Sequence, residues 1–155
     1  MVKRYVIVGI LTSLAIAGTA PTRAQTPVKL PVVATFSVLA DFVRNVGGDR
    51  IEVAALVGPD GDAHVYQPKP ADAEKLGDAR LILVNGLGLE GWIDRLIKAS
   101  GARAPVIVAT KGINPQELRE ERRIGLDPHA WQSIANAKIY AANIRDGLIA
   151  ADPQG

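Results

Sequence analysis

The chain has 155 residues, of which 48% are hydrophobic and 22% are charged. This composition fits one globular domain and excludes both a disordered tail and a collagen-like repeat. Because the chain contains no cysteine, disulfides, thiolate metal sites and cysteine nucleophiles are excluded. The net charge of +2 would suit a nucleic acid only if the basic residues formed a patch on the folded domain.

The N-terminal segment has the features of a secretory signal peptide. Lys3 and Arg4 precede an apolar run at 5–17, which is shorter than the roughly 20 residues that span a bilayer. We predict cleavage after Ala24, so that residues 1–24 are the signal and 25–155 the mature domain. The mature chain then carries 15 basic and 16 acidic residues. Without a basic stripe interleaved with aromatic residues, it is not expected to bind nucleic acid.

In the rest of the chain, short β-branched runs alternate with longer helix-like segments, a pattern typical of βαβ units and a parallel sheet. The runs are nearly continuous in apolar residues, as in strands buried on both faces. The predicted strands are 30–35, 51–57, 81–85 and 105–110. The predicted helices are 37–46, 70–76, 90–99 and 130–150. Ser37 is expected to cap the first helix and Gly147 to interrupt the last.

Residues 111–126, between the last predicted strand and the last helix, are charged and expected to be irregular. The fold class that follows is α/β, with a single lobe built on a four-stranded, mainly parallel sheet. Helices flank this sheet, and the lobe ends in a long helix.

Residues 86–91 read Gly-Leu-Gly-Leu-Glu-Gly, which matches the glycine pattern of dinucleotide-binding turns between a strand and a helix. The carboxylate that binds the ribose should follow about 20 residues later, where the chain has Ala109, Thr110 and Lys111. The segment therefore favours a tight strand-to-helix turn, with Glu90 complementing the helix N-terminus.

The chain contains two histidines, His64 and His129, each on a loop that leaves the predicted sheet. Ligand crevices of open parallel sheets lie outside the carboxyl ends of the strands, so such distant loops can converge. Two neutral imidazoles suit zinc, iron, manganese or copper but do not complete a site. Asp60, Asp62 and Asp127 could supply further ligands, although Asp62 and Asp127 could equally order their own turns. The spacing leaves open both a metal pair and two ordinary histidines.

Three segments together resemble the solute-binding proteins of zinc, manganese and iron ABC transporters, the family of high-affinity zinc-uptake proteins and metal adhesins. Residues 62–72 resemble its first metal-ligand motif, 85–90 its turn after the third strand, and 127–131 its second ligand motif. The motifs follow the family's order, and residues 28–155 resemble its N-terminal lobe.

By this resemblance His64 and His129 are metal ligands, and the cargo is a divalent ion, zinc or manganese. Family members clamp the metal between two α/β lobes, and the second lobe supplies two further ligands. That second lobe is absent from these 155 residues. The chain is therefore expected to hold half a site and to bind metal more weakly than a closed site.

The resemblance also implies a membrane permease as partner, and the exposed lobe face is compatible with a homodimer. Because the chain has no cysteine for lipid attachment, a periplasmic protein without a lipid anchor is expected.

Two other functions stay open. A metallohydrolase would use the histidines with Asp60 or Glu90 as general base, although the chain lacks H-x-x-x-H and G-x-S-x-G patterns. A remnant that no longer binds metal would act as an interaction module through its partner-facing surface. Residues 111–126 contain no histidine-rich stretch, which weakens the case for zinc specifically without excluding it.

Overall fold

The computed structural model describes residues 28–120 and 123–154, so the predicted signal at 1–24 lies outside the described residues. Four strands form one parallel sheet in the order β2-β1-β3-β4, which confirms the predicted α/β fold. The strands are β1 (Leu30–Phe36), β2 (Ile51–Val57), β3 (Leu81–Val84) and β4 (Val106–Val108). The helices that pack around this sheet are α1 (Ser37–Gly47), α2 (Pro70–Asp78), α3 (Ile93–Ser100) and α4 (Ile134–Ala151).

β1 lies inside the sheet because it pairs in parallel with both β2 and β3. Right-handed crossovers between these strands place α1 on one face and α2 on the other. α4 packs against α1, and α3 packs against α2. The core between these layers includes Leu39, Leu76, Ile82 and Ile144, all fully buried. Burial of each such side chain contributes about 1.5 to 3 kcal/mol.

β4 departs from the expectation that every strand is buried on both faces. It pairs with β3 alone among the described strands, and Val106 and Val108 are 41% and 40% exposed. An edge strand has a neighbour on one side only, so its burial is incomplete. All four residues of β3, in contrast, are buried.

Residues 111–126 contain a two-stranded antiparallel ribbon, so the prediction of an irregular segment is wrong. Its strands are β5 (Glu117–Glu120) and β6 (Arg123–Leu126), with Glu117 opposite Leu126. The ribbon was missed because its sequence is mostly charged and has no glycine-containing two-residue turn. It is separate from the main sheet and directly precedes the loop that carries His129.

Two helix starts and one helix cap differ from the prediction. α3 begins three residues later than expected, because residues 86–92 form a turn. A short 3-10 turn, Ala130–Gln132, precedes α4, which begins at Ile134. Ser37 is the first residue of α1 and does not cap it, since the helix has no side-chain cap hydrogen bond.

α4 runs without interruption through Gly147, contrary to the prediction. A Cβ at Gly147 would lie 2.8 Å from Ile107 Cγ1, so the glycine allows the helix to lie close to β4. At its far end, Asp152 forms an ion pair with Arg50, the residue before β2, with Oδ2 and Nη2 3.6 Å apart. None of the helices in the described part of the chain combines the length and apolar character needed to cross a membrane.

Candidate metal centre

His64 and His129 meet at the carboxyl edge of the sheet. His64 lies on the loop after β2, and His129 lies between β6 and α4. Their Nε2 atoms are 3.2 Å apart, and their ring centroids are 5.2 Å apart. His64 is exposed, and the His129 side chain is 33% exposed. The two loops therefore bring two solvent-accessible imidazole nitrogens together.

The ring of His129 is oriented by Asp127. Asp127 Oδ1 accepts the His129 backbone N–H at 2.9 Å and lies 2.8 Å from His129 Nδ1. The backbone N–H and the imidazole together hold the pKa of the Asp127 carboxyl below its ordinary value. A carboxylate beside Nδ1 favours the proton on that nitrogen and leaves the Nε2 lone pair available to a ligand. That Nε2 faces His64.

The His64 loop uses the same local turn as the His129 loop. Asp62 Oδ1 accepts the His64 backbone N–H at 2.8 Å, so an aspartate two residues before each histidine orders its turn. Asp62 and Asp127 were expected either to supply further metal ligands or to order their own turns. The structure shows that they order the turns. The repeated Asp-x-His at 62–64 and 127–129 is the sequence pattern that corresponds to these matching turns.

Asp72, buried at the start of α2, ties the His64 loop to that helix. Its Oδ2 accepts the Tyr66 hydroxyl and the Lys69 backbone N–H, both at 2.8 Å. Burial by itself raises the pKa of Asp72, but hydrogen bonds from Lys69, Tyr66 and Lys75 lower it below its ordinary value. Burial, and then the Asp72 carboxylate, raise the pKa of the Tyr66 hydroxyl to about 12, so it stays a donor at neutral pH.

Asp72→Asn is expected to destabilise the fold at neutral pH but not in acid. Because folding lowers its pKa, the carboxylate contributes stability above the ordinary value of 3.8, and this contribution is lost as the pH falls through the lowered pKa. Urea unfolding of wild type and variant should differ by about 1 kcal/mol at pH 7 and converge in strong acid. Glu74→Gln, at an exposed position on the same helix, is the control. A gap of equal size at both pH values would contradict this expectation.

The connection between β3 and α3, residues 85–92, lies against both histidine loops and has Asn85, Glu90 and Trp92 buried. Glu90 is 6% exposed. Its carboxylate accepts the backbone N–H groups of Asn85 at 2.7 Å and Gly86 at 3.2 Å, and the Thr35 hydroxyl at 2.5 Å. The tight strand-to-helix turn is confirmed, but Glu90 closes this turn rather than complementing the N-terminus of α3.

Two side chains hold backbone carbonyls beside the histidines: Asn85, from the segment 85–90 that resembles the family's turn, and Trp92, which the sequence did not indicate. Asn85 Nδ2 donates to the Pro128 carbonyl at 2.9 Å, and Trp92 Nε1 donates to the Ala63 carbonyl at 2.8 Å. Asn85 Oδ1 accepts the hydroxyl of Tyr140 from α4. Burial, and then the Glu90 charge, raise the pKa of the Tyr140 hydroxyl well above its usual range.

The space beside the histidines is small. A cavity of about 210 Å³ adjoins His64 and is lined by Leu87, Leu118, Leu126 and Pro128 among others. Sites for drug-sized organic ligands are typically about 300 to 1,000 Å³. A second cavity of about 230 Å³ adjoins His129, and neither cavity reaches the size of a typical site for a drug-sized organic ligand.

The histidine pair offers two nitrogen ligands and no more. Two nitrogens on one tetrahedral zinc are about 3.3 Å apart at ordinary Zn–N distances, close to the observed 3.2 Å. Across residues 28–120 and 123–154, no three His, Asp or Glu side chains are grouped in a way that could hold a metal. The Glu90 carboxylate is engaged by two backbone N–H groups and the Thr35 hydroxyl, which does not favour it as a base beside the histidines.

The family model of ZnuA, the periplasmic zinc-uptake complex component A, matches residues 32–155. The chain belongs to this family. The iron-binding protein YfeA of Yersinia pestis is 39% identical over 145 residues, which cover 93% of this chain and 46% of YfeA. The manganese ABC transporter substrate-binding lipoprotein PsaA of Streptococcus pneumoniae is 39% identical over 133 residues, covering 81% of this chain and 43% of PsaA.

Solved structures agree with this membership. The Mn-bound periplasmic metal binding protein from Candidatus Liberibacter asiaticus matches with a TM-score of 0.73 at 40% identity, over 81% of this chain and 47% of that chain. Zn(II)-bound AdcA from Streptococcus pneumoniae matches with a TM-score of 0.69 at 29% identity, over 81% of this chain and 27% of AdcA. The chain thus spans less than half the length of these relatives, in agreement with the expected single N-terminal lobe.

One expectation drawn from the sequence is wrong. A protein without a lipid anchor was predicted because the chain has no cysteine. Several relatives in the family are named lipoproteins, including MntA of Halalkalibacterium halodurans and FimA of Streptococcus parasanguinis. Because the chain covers 41% of MntA and 43% of FimA, its lack of cysteine does not show whether the protein has a lipid anchor.

Proposed function

We propose that the chain binds a divalent transition metal, zinc or manganese, through His64 and His129. In this proposal residues 25–155 form the N-terminal lobe of the extracytoplasmic solute-binding component of a metal-uptake ABC transporter. The chain captures a cation as cargo for a membrane permease and catalyses no reaction. The 3.2 Å separation of the two Nε2 atoms is the observation that carries the proposal.

The surroundings of the pair support a metal more than an ordinary hydrogen bond between histidines. Asp127 occupies Nδ1 of His129 and leaves Nε2 free, the arrangement in which a carboxylate orients a metal-binding imidazole. His64 is exposed and the His129 side chain is 33% exposed, so a cation can reach both rings without passing through the core.

The rest of the coordination sphere lies outside the described lobe in this proposal. Two imidazoles leave at least two positions of a tetrahedral site to water or to a facing protein surface. The same face is the surface through which self-association of two copies would occur. Because two neutral nitrogens suit several transition metals, they do not choose between zinc and manganese.

The experiment is a calorimetric titration of the purified chain with Zn²⁺ and with Mn²⁺. We expect binding of one ion per chain, and we expect His64→Ala and His129→Ala each to remove the heat signal, because each leaves a single imidazole ligand. Glu52→Gln is the matched control, since it changes an exposed carboxylate at the amino end of β2, opposite the end that carries the His64 loop, and should leave the affinity unchanged.

Binding that survives in the double variant His64→Ala/His129→Ala would contradict the proposal. So would a lack of histidine-dependent binding by the chain both alone and with a second-lobe polypeptide added. Hydrolysis of a model ester with added Zn²⁺, dependent on the two histidines, would favour the metallohydrolase instead.

A further inference from the structure

The segment 85–92, which joins β3 to α3, contacts both histidine loops. At its start, Asn85 donates to the carbonyl of the residue before His129 at 2.9 Å. At its end, the Trp92 indole donates to the carbonyl of the residue before His64 at 2.8 Å. Each histidine therefore follows a backbone carbonyl that is held by a donor from one short segment.

Both donors are themselves fixed. Asn85 is fully buried, and its Oδ1 accepts the Tyr140 hydroxyl, so the amide must present its NH₂ to the His129 loop. Trp92 is 5% exposed, and its ring centroid lies 5.1 Å from that of Tyr66.

The backbone between the two donors is held as well. The Glu90 carboxylate accepts two N–H groups from the start of the segment and the hydroxyl of Thr35 from β1. Gly86, Leu87 and Gly88 all have positive φ, so the chain turns sharply within the segment. Side-chain and backbone contacts together keep Asn85 and Trp92 at a set distance from the sheet.

We infer that residues 85–92 act as a brace that sets the separation of His64 and His129, with Asn85 and Trp92 as positioning residues. Groups that orient metal ligands contribute to affinity because the ligands then need not reorganise on binding. The consequence for metal affinity rests on the proposed function, whereas the effect on the metal-free rings does not.

Two variants remove the brace contacts. The double variant Asn85→Leu/Tyr140→Phe removes the Asn85 amide together with the Tyr140 hydroxyl that donates to it. The Tyr140 hydroxyl is therefore not left buried without an acceptor. Trp92→Phe keeps an aromatic ring and removes the indole N–H together with part of the ring volume at this buried position. Asn143→Leu is the matched control, because Asn143 Nδ2 also donates to two backbone carbonyls, those of Ala109 and Lys111 just after β4, and neither carbonyl belongs to a histidine loop.

Two measurements report on each variant: the nuclear Overhauser effect between the two imidazole rings in the metal-free chain, and the calorimetric affinity for Zn²⁺. We expect both brace variants to weaken or lose the ring-to-ring effect and to raise the Zn²⁺ dissociation constant about tenfold or more. Asn143→Leu should retain the wild-type ring-to-ring effect and affinity even if it lowers the melting temperature.

Wild-type ring contact and affinity in folded brace variants would overturn the inference and leave the segment a purely structural turn. If the wild-type chain binds neither Zn²⁺ nor Mn²⁺, both alone and with a second-lobe polypeptide added, the proposed function fails, and the ring-to-ring effect alone decides the role of the brace. If circular dichroism shows that the double variant does not fold, Trp92→Phe decides with the same two measurements.

Discussion

Glu90→Leu is expected to cost the fold about 3 to 5 kcal/mol, measured by urea unfolding at pH 7. The change leaves the Asn85 and Gly86 backbone N–H groups and the Thr35 hydroxyl without their acceptor. A buried polar group left without a partner costs about 1 to 3 kcal/mol. Because a domain of this size is stabilised by only about 5 to 15 kcal/mol, the loss should lower the unfolding midpoint strongly.

Glu90→Gln tests whether the acceptors, rather than the packing of the side chain, account for this loss. Glutamine keeps the shape and one acceptor oxygen, but its NH₂ group faces an N–H donor. We expect it to lose about half of what the leucine variant loses. A cost below about 1 kcal/mol for Glu90→Leu would show that these donors find other partners, and that the turn does not depend on this carboxylate.

Gly86→Ala is expected to destabilise the fold by about 3 kcal/mol, from two separate causes. Gly86 has a φ of 86°, a conformation that costs a residue with a Cβ about 1 to 2 kcal/mol. A Cβ there would also lie 2.6 Å from Val108 Cγ1 and 3.0 Å from Thr110 Oγ1, and overpacking of this kind costs about 1 to 3 kcal/mol.

Gly88→Ala separates the two causes. Gly88 has a similar φ of 81°, but a Cβ there would meet no atom within 4 Å. Only the backbone cost of about 1 to 2 kcal/mol is then expected, in the same urea experiment. Equal losses for the two alanine variants would show that the close approach of β4 to this turn has no energetic consequence.

The main sheet was predictable because buried parallel strands are continuous in apolar residues. Residues 30–35, 51–57 and 81–85 each show this pattern, and the strands end within a residue of these limits. The ribbon of β5 and β6 was not predictable in this way, because its pairing does not depend on an apolar face. Boundaries also failed where a turn precedes a helix, since the helix predicted from residue 90 begins only at Ile93, after the turn.

The two histidines of the candidate site could be predicted from the sequence because each lies in a recognisable motif. The hydrogen bonds that support them could not be predicted in this way. Asn85 and Pro128 are 43 positions apart, and the hydrogen bond between them depends on the way two loops pack. The glycine pattern at 86–91 does not identify a ligand, because the same glycines serve any sharp turn after a strand.

The ion pair between Arg50 and Asp152 has a practical consequence for experiments on this chain. The ion pair lies at the amino edge of the sheet, whereas the histidines lie at the carboxyl edge. The seven residues of β2 between these edges span about 23 Å. Since the chain has no cysteine, a cysteine introduced at the exposed Gln154 would be its sole thiol. A fluorophore or surface linker attached there would lie remote from the imidazoles, so cation capture could be followed on immobilised molecules with the carboxyl edge open to solution.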